Sequence, residues 1–310
     1  FSADAIRTLL REITELVPLS TTLEATMEAN PGSAEADKFC AFRDAGITRL
    51  SLGIQSFDDT HLQVLGRVHT SDQAHAAIEF ARRAGFESFN LDLMHGLPGQ
   101  TLRGAESDLL TAIASAPSHL SWYQLTIEPN TVFHKRPPHL PVEDELAEIQ
   151  QCGEQLLARS GYGQYEVSAY SQKGYNCRHN SNYWSFGDYL GIGAGAHGKI
   201  SFPDGRIERY AKRRQPHDYM SAGTGSFVAR NQILYQDEIV GEFMLNALRL
   251  NDGFTLQQFV SRTGLDCAQL EPQMESLCQR ELLARHGDVV KATEIGRRFL
   301  DSVIAEFFPD

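Results

Sequence analysis

Cations are in short supply in this chain: 28 Lys and Arg stand against 40 Asp and Glu, a formal charge of −12. Phosphate neutralisation needs clustered Lys and Arg, so this balance argues against a general nucleic-acid surface. Cysteine is sparse as well. The five thiols (Cys40, Cys152, Cys177, Cys267 and Cys278) are scattered and odd in number. They read as reduced thiols of a cytoplasmic protein and not as a disulfide framework. No apolar run approaches the roughly 18 residues of a membrane span, and no charged-then-apolar leader opens the chain, so nothing points to secretion. A glycine-rich turn of dinucleotide type after a strand is also missing. What is present is ordinary globular composition, with 42% apolar and 22% charged residues, which excludes wholesale disorder. The length of 310 residues suggests two domains. The chain opens at Phe1 inside helix-like sequence (Phe1 to Val17) with no initiator Met, and is read as a fragment.

Short apolar runs alternate with amphipathic stretches through the first half. Strands are expected at Thr22 to Glu28, Ile47 to Ile54, Ser88 to Met94, Leu120 to Thr126 and Gln164 to Ser168. Helices are expected at Ser33 to Ala45 (with Ser33 as its cap), Asp58 to Leu65, Ser71 to Ala84, Leu102 to Ser115 and Glu143 to Ser160. Such alternation implies βαβ units and a parallel sheet, which right-handed crossovers would curl into an open or closed barrel. Residues 171–230 are rich in Gly, Tyr, Asn and Arg and lack long periodic segments. Helices return at Gln236 to Leu248, Thr255 to Thr263 and Leu265 to Leu282, followed by a polar hairpin around Gly287 to Lys291 and a final helix Glu294 to Phe307. Three helices and a hairpin suggest a winged-helix-like module, whose acidic surroundings favour a packing or lid role over DNA binding. The expected architecture is α/β: a partial βα barrel over 1–170, a connecting lobe over 171–230 and an α-rich domain over 231–310.

In parallel βα barrels, function collects at the C-terminal ends of the strands. Glu28, Gln55 and Asp92 lie at or near such ends, and Arg67 lies in a loop beyond. Together they suggest a site that grips the amine, carboxylate and hydroxyls of a polar ligand. For each carboxylate taken singly, capping the next helix is an equal alternative.

The motifs Met27-Glu-Ala-Asn-Pro-Gly32, Arg49-Leu-Ser-Leu-Gly-Ile-Gln-Ser-Phe57, Leu65-Gly-Arg67 and Asn90-Leu-Asp-Leu-Met-His-Gly-Leu-Pro-Gly-Gln100 carry a resemblance. Trp122 to Thr131 and Asp188 to Gly198 extend it. The chain resembles the oxygen-independent coproporphyrinogen III oxidase-like family of radical S-adenosylmethionine (SAM) proteins. That resemblance implies that Glu28 holds the methionine amine of SAM while Gln55, Arg67 and Asp92 fix its carboxylate and ribose side. It also implies a [4Fe–4S] cluster on three thiolates spaced Cys-x-x-x-Cys-x-x-Cys, with one iron open to SAM and the sulfonium cleaved to a 5′-deoxyadenosyl radical. No cysteines here have that spacing. The expectation is that the triad and the first barrel strands lie upstream of Phe1.

His179-Asn-Ser-Asn-Tyr-Trp184 is similar to the His-Asn-x-x-Tyr-Trp signature of the heme chaperone branch of that family. His179 offers an imidazole to heme iron, and Tyr183 and Trp184 offer flat apolar faces. The bland alternative is a turn ordered by Asn180 and Asn182 with the aromatics as packing. His197, between small residues, is a second candidate ligand, and Cys177 a third, although a buried structural thiol fits it better. His61, His69 and His75 are expected to be solvated. The implied function is heme binding and delivery to hemoprotein clients, with SAM and the cluster acting in regulation or dimerisation and with a homodimer and enzymatic activity both left open. The alternative is radical decarboxylation of porphyrinogen propionates.

Overall fold

The computed structural model describes residues 1–33, 36–223 and 225–308. The chain divides into two compact units, Phe1–Cys177 and Arg178–Asp310. The cap proposed at Ser33 lies outside the described side chains.

The first unit runs α1 (Ala3–Leu16), β1 (Thr26–Ala29), α2 (Ala36–Asp44), β2 (Arg49–Gln55), α3 (Asp59–Val64), α4 (Ser71–Arg83), β3 (Ser88–His95), α5 (Leu102–Ala114), β4 (His119–Gln124), α6 (Val132–Lys135), α7 (Glu143–Arg159), β5 (Gly163–Glu166) and β6 (Ala169–Ser171). Helix starts follow their caps: Asp58 accepts from the N–H groups of Thr60 and His61, and Thr70 forms a capping box with Gln73. The strands form one six-stranded sheet in the order β1-β2-β3-β4-β6-β5. The first four are parallel, as the βα alternation predicts. The end of the sheet departs from a simple alternation. β6 inserts antiparallel between β4 and β5, so β5 runs in the direction of the others without pairing to β4.

The two faces of this sheet differ in chemistry. Leu50, Leu52 and Ile54 of β2, Phe89, Leu91 and Leu93 of β3, and Leu120 and Trp122 of β4 are buried in one apolar cluster with Ala74, Ala77 and Ile78 of α4, Ala105 and Leu109 of α5, and Ile149 and Leu157 of α7. Because successive strand residues point to opposite faces, the intervening positions fall on the other side. They are Arg49, Ser51, Gly53, Asn90, Asp92, His119, Ser121 and Tyr123. A sheet covered by helices on one face and polar on the other is what a barrel lining requires.

Helix α7 reaches the sheet closely because Gly153 has no side chain. A Cβ there would lie 2.0 Å from Trp122 Cη2, and Trp122 is buried. Gly153→Ala is therefore expected to destabilise the first unit by about 2–3 kcal/mol through overpacking, measured as a lowered urea midpoint at unchanged slope. A neutral result would mean that Trp122 repacks freely.

The second unit contains α8 (Arg178–Trp184), β7 (His197–Ser201), β8 (Ile207–Lys212), α9 (Pro216–Met220), β9 (Val228–Ile233), α10 (Gln236–Ala247), β10 (Phe254–Thr255), α11 (Leu256–Thr263), α12 (Gln273–Gln279), β11 (Leu283–His286), β12 (Val289–Ala292), α13 (Glu294–Arg298) and α14 (Leu300–Ala305). Part of the segment without sequence periodicity is an antiparallel sheet in the order β7-β8-β9. From α10 onward the order helix, strand, two helices, hairpin, with the sheet β10-β12-β11, has the winged-helix arrangement expected from the sequence. Its core gathers Phe243, Met244, Phe259, Leu277 and Val290. The single helix expected over Leu265 to Leu282 is instead a 3-10 turn (Cys267–Leu270) followed by α12. Pro272 separates them, since it lacks the N–H a continuous helix would need there. The last helix likewise divides at Phe299 into α13 and α14.

Candidate functional site

Strand register draws together polar residues that lie far apart in sequence. Glu28 stands opposite Ser51, Ser51 opposite Asn90, and Asn90 opposite His119. Ser51 Oγ donates to Asp92 Oδ2 at 2.9 Å, and Asn90 Nδ2 donates to Asp92 Oδ1 at 2.7 Å. Each Asp92 oxygen thus carries a donor. Burial pushes the Asp92 carboxyl up, while hydrogen bonds from Asn90, Ser51 and Ser121 pull it down and the Glu28 charge pushes it further up. Burial also pushes the Tyr123 phenol up to about 12, aided by the negative charges of Asp92, Glu166 and Glu28. Arg49 is the buried cation of this face, and its Nε has no hydrogen-bond partner.

Gln55 ends β2 with φ of 68°, a conformation that few non-glycine residues adopt and that collects at functional sites. The fold grips the peptide on both sides of it. His69 Nε2 bonds Ile54 O at 3.0 Å, while Asp108 on α5 accepts from Ser56 Oγ at 2.7 Å and from Phe57 N at 2.8 Å. The side chain then folds over Gly53, where a Cβ would lie 3.1 Å from Gln55 Nε2 and 3.6 Å from Asn30 Oδ1. Gly53 is needed to leave that space open.

Of the four residues proposed for SAM, Glu28 and Asp92 share the polar face and feel each other's charge, and Gln55 closes the neighbouring strand end. Arg67 is exposed in the loop after α3, where its backbone N–H donates to Leu62 O; none of its hydrogen bonds reaches the other three. Four members of this face were outside the strand-end reading: Ser51, Asn90, His119 and Ser121. Their signal in the sequence is polar residues at period two inside apolar strands, Asn90 with Asp92 and His119 with Ser121.

The expectation of solvated histidines holds for His75, which is exposed and stacks on Phe57 at 5.0 Å, but not for His69. His69 is 4% exposed, because the carbonyl before the left-handed Gln55 requires a donor. His61 is half-buried. Cys177 is buried, with its Sγ 3.6 Å from Glu24 Oε1.

In the second unit, the residues of the His-Asn-x-x-Tyr-Trp motif form the helix α8 and not a turn. Helical spacing puts His179 and Tyr183 on one face, with ring centroids 4.8 Å apart. Tyr189 extends the aromatic group, 4.2 Å from Tyr183. His179 is exposed at its edge. Trp184 lies 6.4 Å from Tyr183 and beneath the Arg249 guanidinium, 4.3 Å from its ring. Asn182 fixes the return of the chain: its Nδ2 donates to Asp188 O at 2.9 Å, and Gly187 is so close that a Cβ would meet Asn182 Oδ1 at 2.0 Å. Asp188 in turn binds Lys199 Nζ at 2.9 Å. His197 opens β7, exposed, and is not among the rings stacked around α8.

Cluster ligation finds no counterpart in these residues. None of the five cysteines forms a disulfide, and among the described residues no group of three His, Cys, Asp or Glu side chains could hold a metal. No described helix is long and apolar enough to cross a membrane.

The sequence profile of the Radical SAM superfamily matches residues 3–111, and that of the HemN C-terminal domain matches 234–299. A protein of Haemophilus influenzae named heme chaperone HemW is 45% identical, over all of this chain and 80% of its own length. The Escherichia coli protein of that name is 46% identical, over all of this chain and 81% of its own length. The solved structure of Escherichia coli coproporphyrinogen III oxidase, HemN, covers 99% of this chain and 74% of its own, with a TM-score of 0.79 at 20% identity; that likeness concerns the fold. Identity at this level along the whole chain is decisive: the chain belongs to the HemW family of the radical SAM superfamily.

Proposed function

We propose that this protein binds heme and hands it to hemoprotein clients, with SAM and a [4Fe–4S] cluster in the supporting role that its family implies. The observation that carries the heme reading is the exposed imidazole of His179 set against the rings of Tyr183 and Tyr189. It offers a nitrogen ligand beside flat apolar surface, which is the pairing a metalloporphyrin needs. Tyr183 and Trp184 would support the macrocycle, and His197 is a second candidate ligand. Identity to relatives named heme chaperones supports the same reading.

On the sheet face of the first unit, Glu28, Gln55, Arg67 and Asp92 would hold SAM. The two oxygens of Asp92, each holding one internal donor and able to accept a second, suit a ligand that is itself a donor. When bound to a reduced cluster, SAM supplies one-electron chemistry; the chain's own residues bind and orient it. The thiolates for such a cluster are not among these 310 residues. Cysteines without disulfides suit a cytoplasmic setting, and association into a homodimer belongs to the same proposal.

Anaerobic heme titration of the full-length protein, followed by absorbance, tests the heme reading. The expected result is a stoichiometric Soret band, with affinity falling about tenfold or more in His179→Ala. Uptake indifferent to His179 would remove that residue as the ligand. Absence of uptake would favour porphyrinogen oxidation instead, with a decarboxylation assay as the next measurement.

A further inference from the structure

Behind Asp92 runs a chain of buried and half-buried hydrogen bonds that ligand contact alone does not require. Asn90 Nδ2 donates to Asp92 Oδ1 at 2.7 Å and to Ser51 Oγ at 2.8 Å. Asn90 Oδ1 meets His119 Nδ1 at 2.7 Å and accepts from Ser121 Oγ at 3.1 Å. His119 Nε2 meets the Tyr165 hydroxyl at 2.8 Å, and that hydroxyl accepts from the Cys177 N–H at 3.3 Å. Asn90, His119 and Ser121 are each no more than 3% exposed.

The proton positions follow from the groups involved. With Asp92 ionised, its carboxylate only accepts, so the Asn90 amide nitrogen faces Asp92 and its oxygen faces His119. Nδ1 of His119 therefore carries the proton, and Nε2 is left to accept from Tyr165. Tyr165 can serve both ends, accepting from Cys177 and donating to His119. Every member has one consistent role, and reversing the Asn90 amide would set its oxygen against the carboxylate.

We propose that His119 is a positioning residue for the ligand site: through Asn90 it fixes the orientation of the Asp92 carboxylate that receives the ribose hydroxyls of a SAM-type nucleoside. The inference rests on the proposed assignment of the polar sheet face to SAM. Each Asp92 oxygen already takes one internal donor and keeps a lone pair for a second, so the carboxylate can accept two neighbouring hydroxyls at once. Loss of the His119 donor leaves the Asn90 oxygen held by Ser121 alone and so weakens the hold on the amide that faces Asp92.

Substitutions at His119 separate the two ring nitrogens. An Asn side chain reproduces the Nδ1–H donor, whereas Gln reaches the Nε2 position and leaves Asn90 without it. On the full-length holoprotein, equilibrium binding of S-adenosylhomocysteine is measured beside its 2′,3′-dideoxy analogue. The expected result is binding about tenfold weaker in His119→Gln, near-native binding in His119→Asn, and no loss in either variant for the dideoxy ligand. Tyr165→Phe should give a smaller loss, confined to the hydroxylated ligand. Equal losses for both ligands, or binding indifferent to His119→Gln, would overturn the positioning role while leaving the SAM assignment intact. Failure of the native protein to bind S-adenosylhomocysteine would remove both. Melting curves and the Asn variant guard against a trivial folding defect.

Discussion

Acidification from pH 6.5 towards pH 4 is expected to destabilise the first unit with a slope of up to about 2.7 kcal/mol per pH unit from two histidines alone, each contributing about 1.4. Burial lowers His119 to about 3, helped by the Arg49 charge, and burial lowers His95 to about 4. His95 is 4% exposed, lies 4.1 Å from the Trp122 ring and has an Nδ1 without a partner. Both folded values lie below the ordinary 6.5, so between those limits the unfolded chain binds more protons and stability falls with pH. Below about pH 4 only His119 continues the trend. The raised carboxyls of Asp92 and Asp108 act in the opposite sense, so the histidine contribution is read as a difference. Urea unfolding between pH 7 and 4.5 should show a slope shallower by about one proton in His95→Phe, and again in His119→Gln. Slopes equal to the native protein's would mean that neither histidine is held neutral by burial.

Asp108→Ala is expected to cost about 2–4 kcal/mol and to weaken SAM-type binding together with stability. Its carboxylate accepts from Ser56 Oγ and Phe57 N, and Ser56 is fully buried, so truncation strands two donors. The same bonds hold the peptide that follows Gln55, whose left-handed backbone must be over-determined to persist. Asp108→Asn keeps an acceptor and should retain more of both properties. Calorimetric melting paired with ligand titration checks this. Lost stability with undisturbed affinity would show that Gln55 is held by His69 alone. The native carboxyl is itself pushed up by burial, so part of the expected cost is offset when a charge leaves the interior.

Much of the fold was legible along the chain because its signals are local. Hydrophobic period and capping residues placed the parallel strands and their helices within a few residues, and the order of helices followed by a hairpin foretold the winged module. The failures are also local in cause. Pro272 interrupted an otherwise periodic helix, and β7, β8 and β9 escaped notice because their polar residues serve specific partners. Lys199, for instance, is buried against Asp188 and over the Phe186 ring, and burial pushes it below the ordinary lysine range. A charged residue inside a strand carries no local sign that it faces inward.

The sequence alone determined the family, since contiguous motifs such as Asn90 to Gln100 and His179 to Trp184 need no neighbour to be recognised. It also marked Gln55 and Asp92 as strand-end polar groups. Only the tertiary structure decided which groups serve them. Ser51, Asn90, His119 and Tyr165 lie on four different strands and converge because register sets Ser51 beside Asn90 and Asn90 beside His119. A register slip of one residue would turn each of these side chains to the helix-covered face. Hydrogen bonds between residues so distant in sequence exist only once the sheet is assembled, and no period or composition along the chain encodes them.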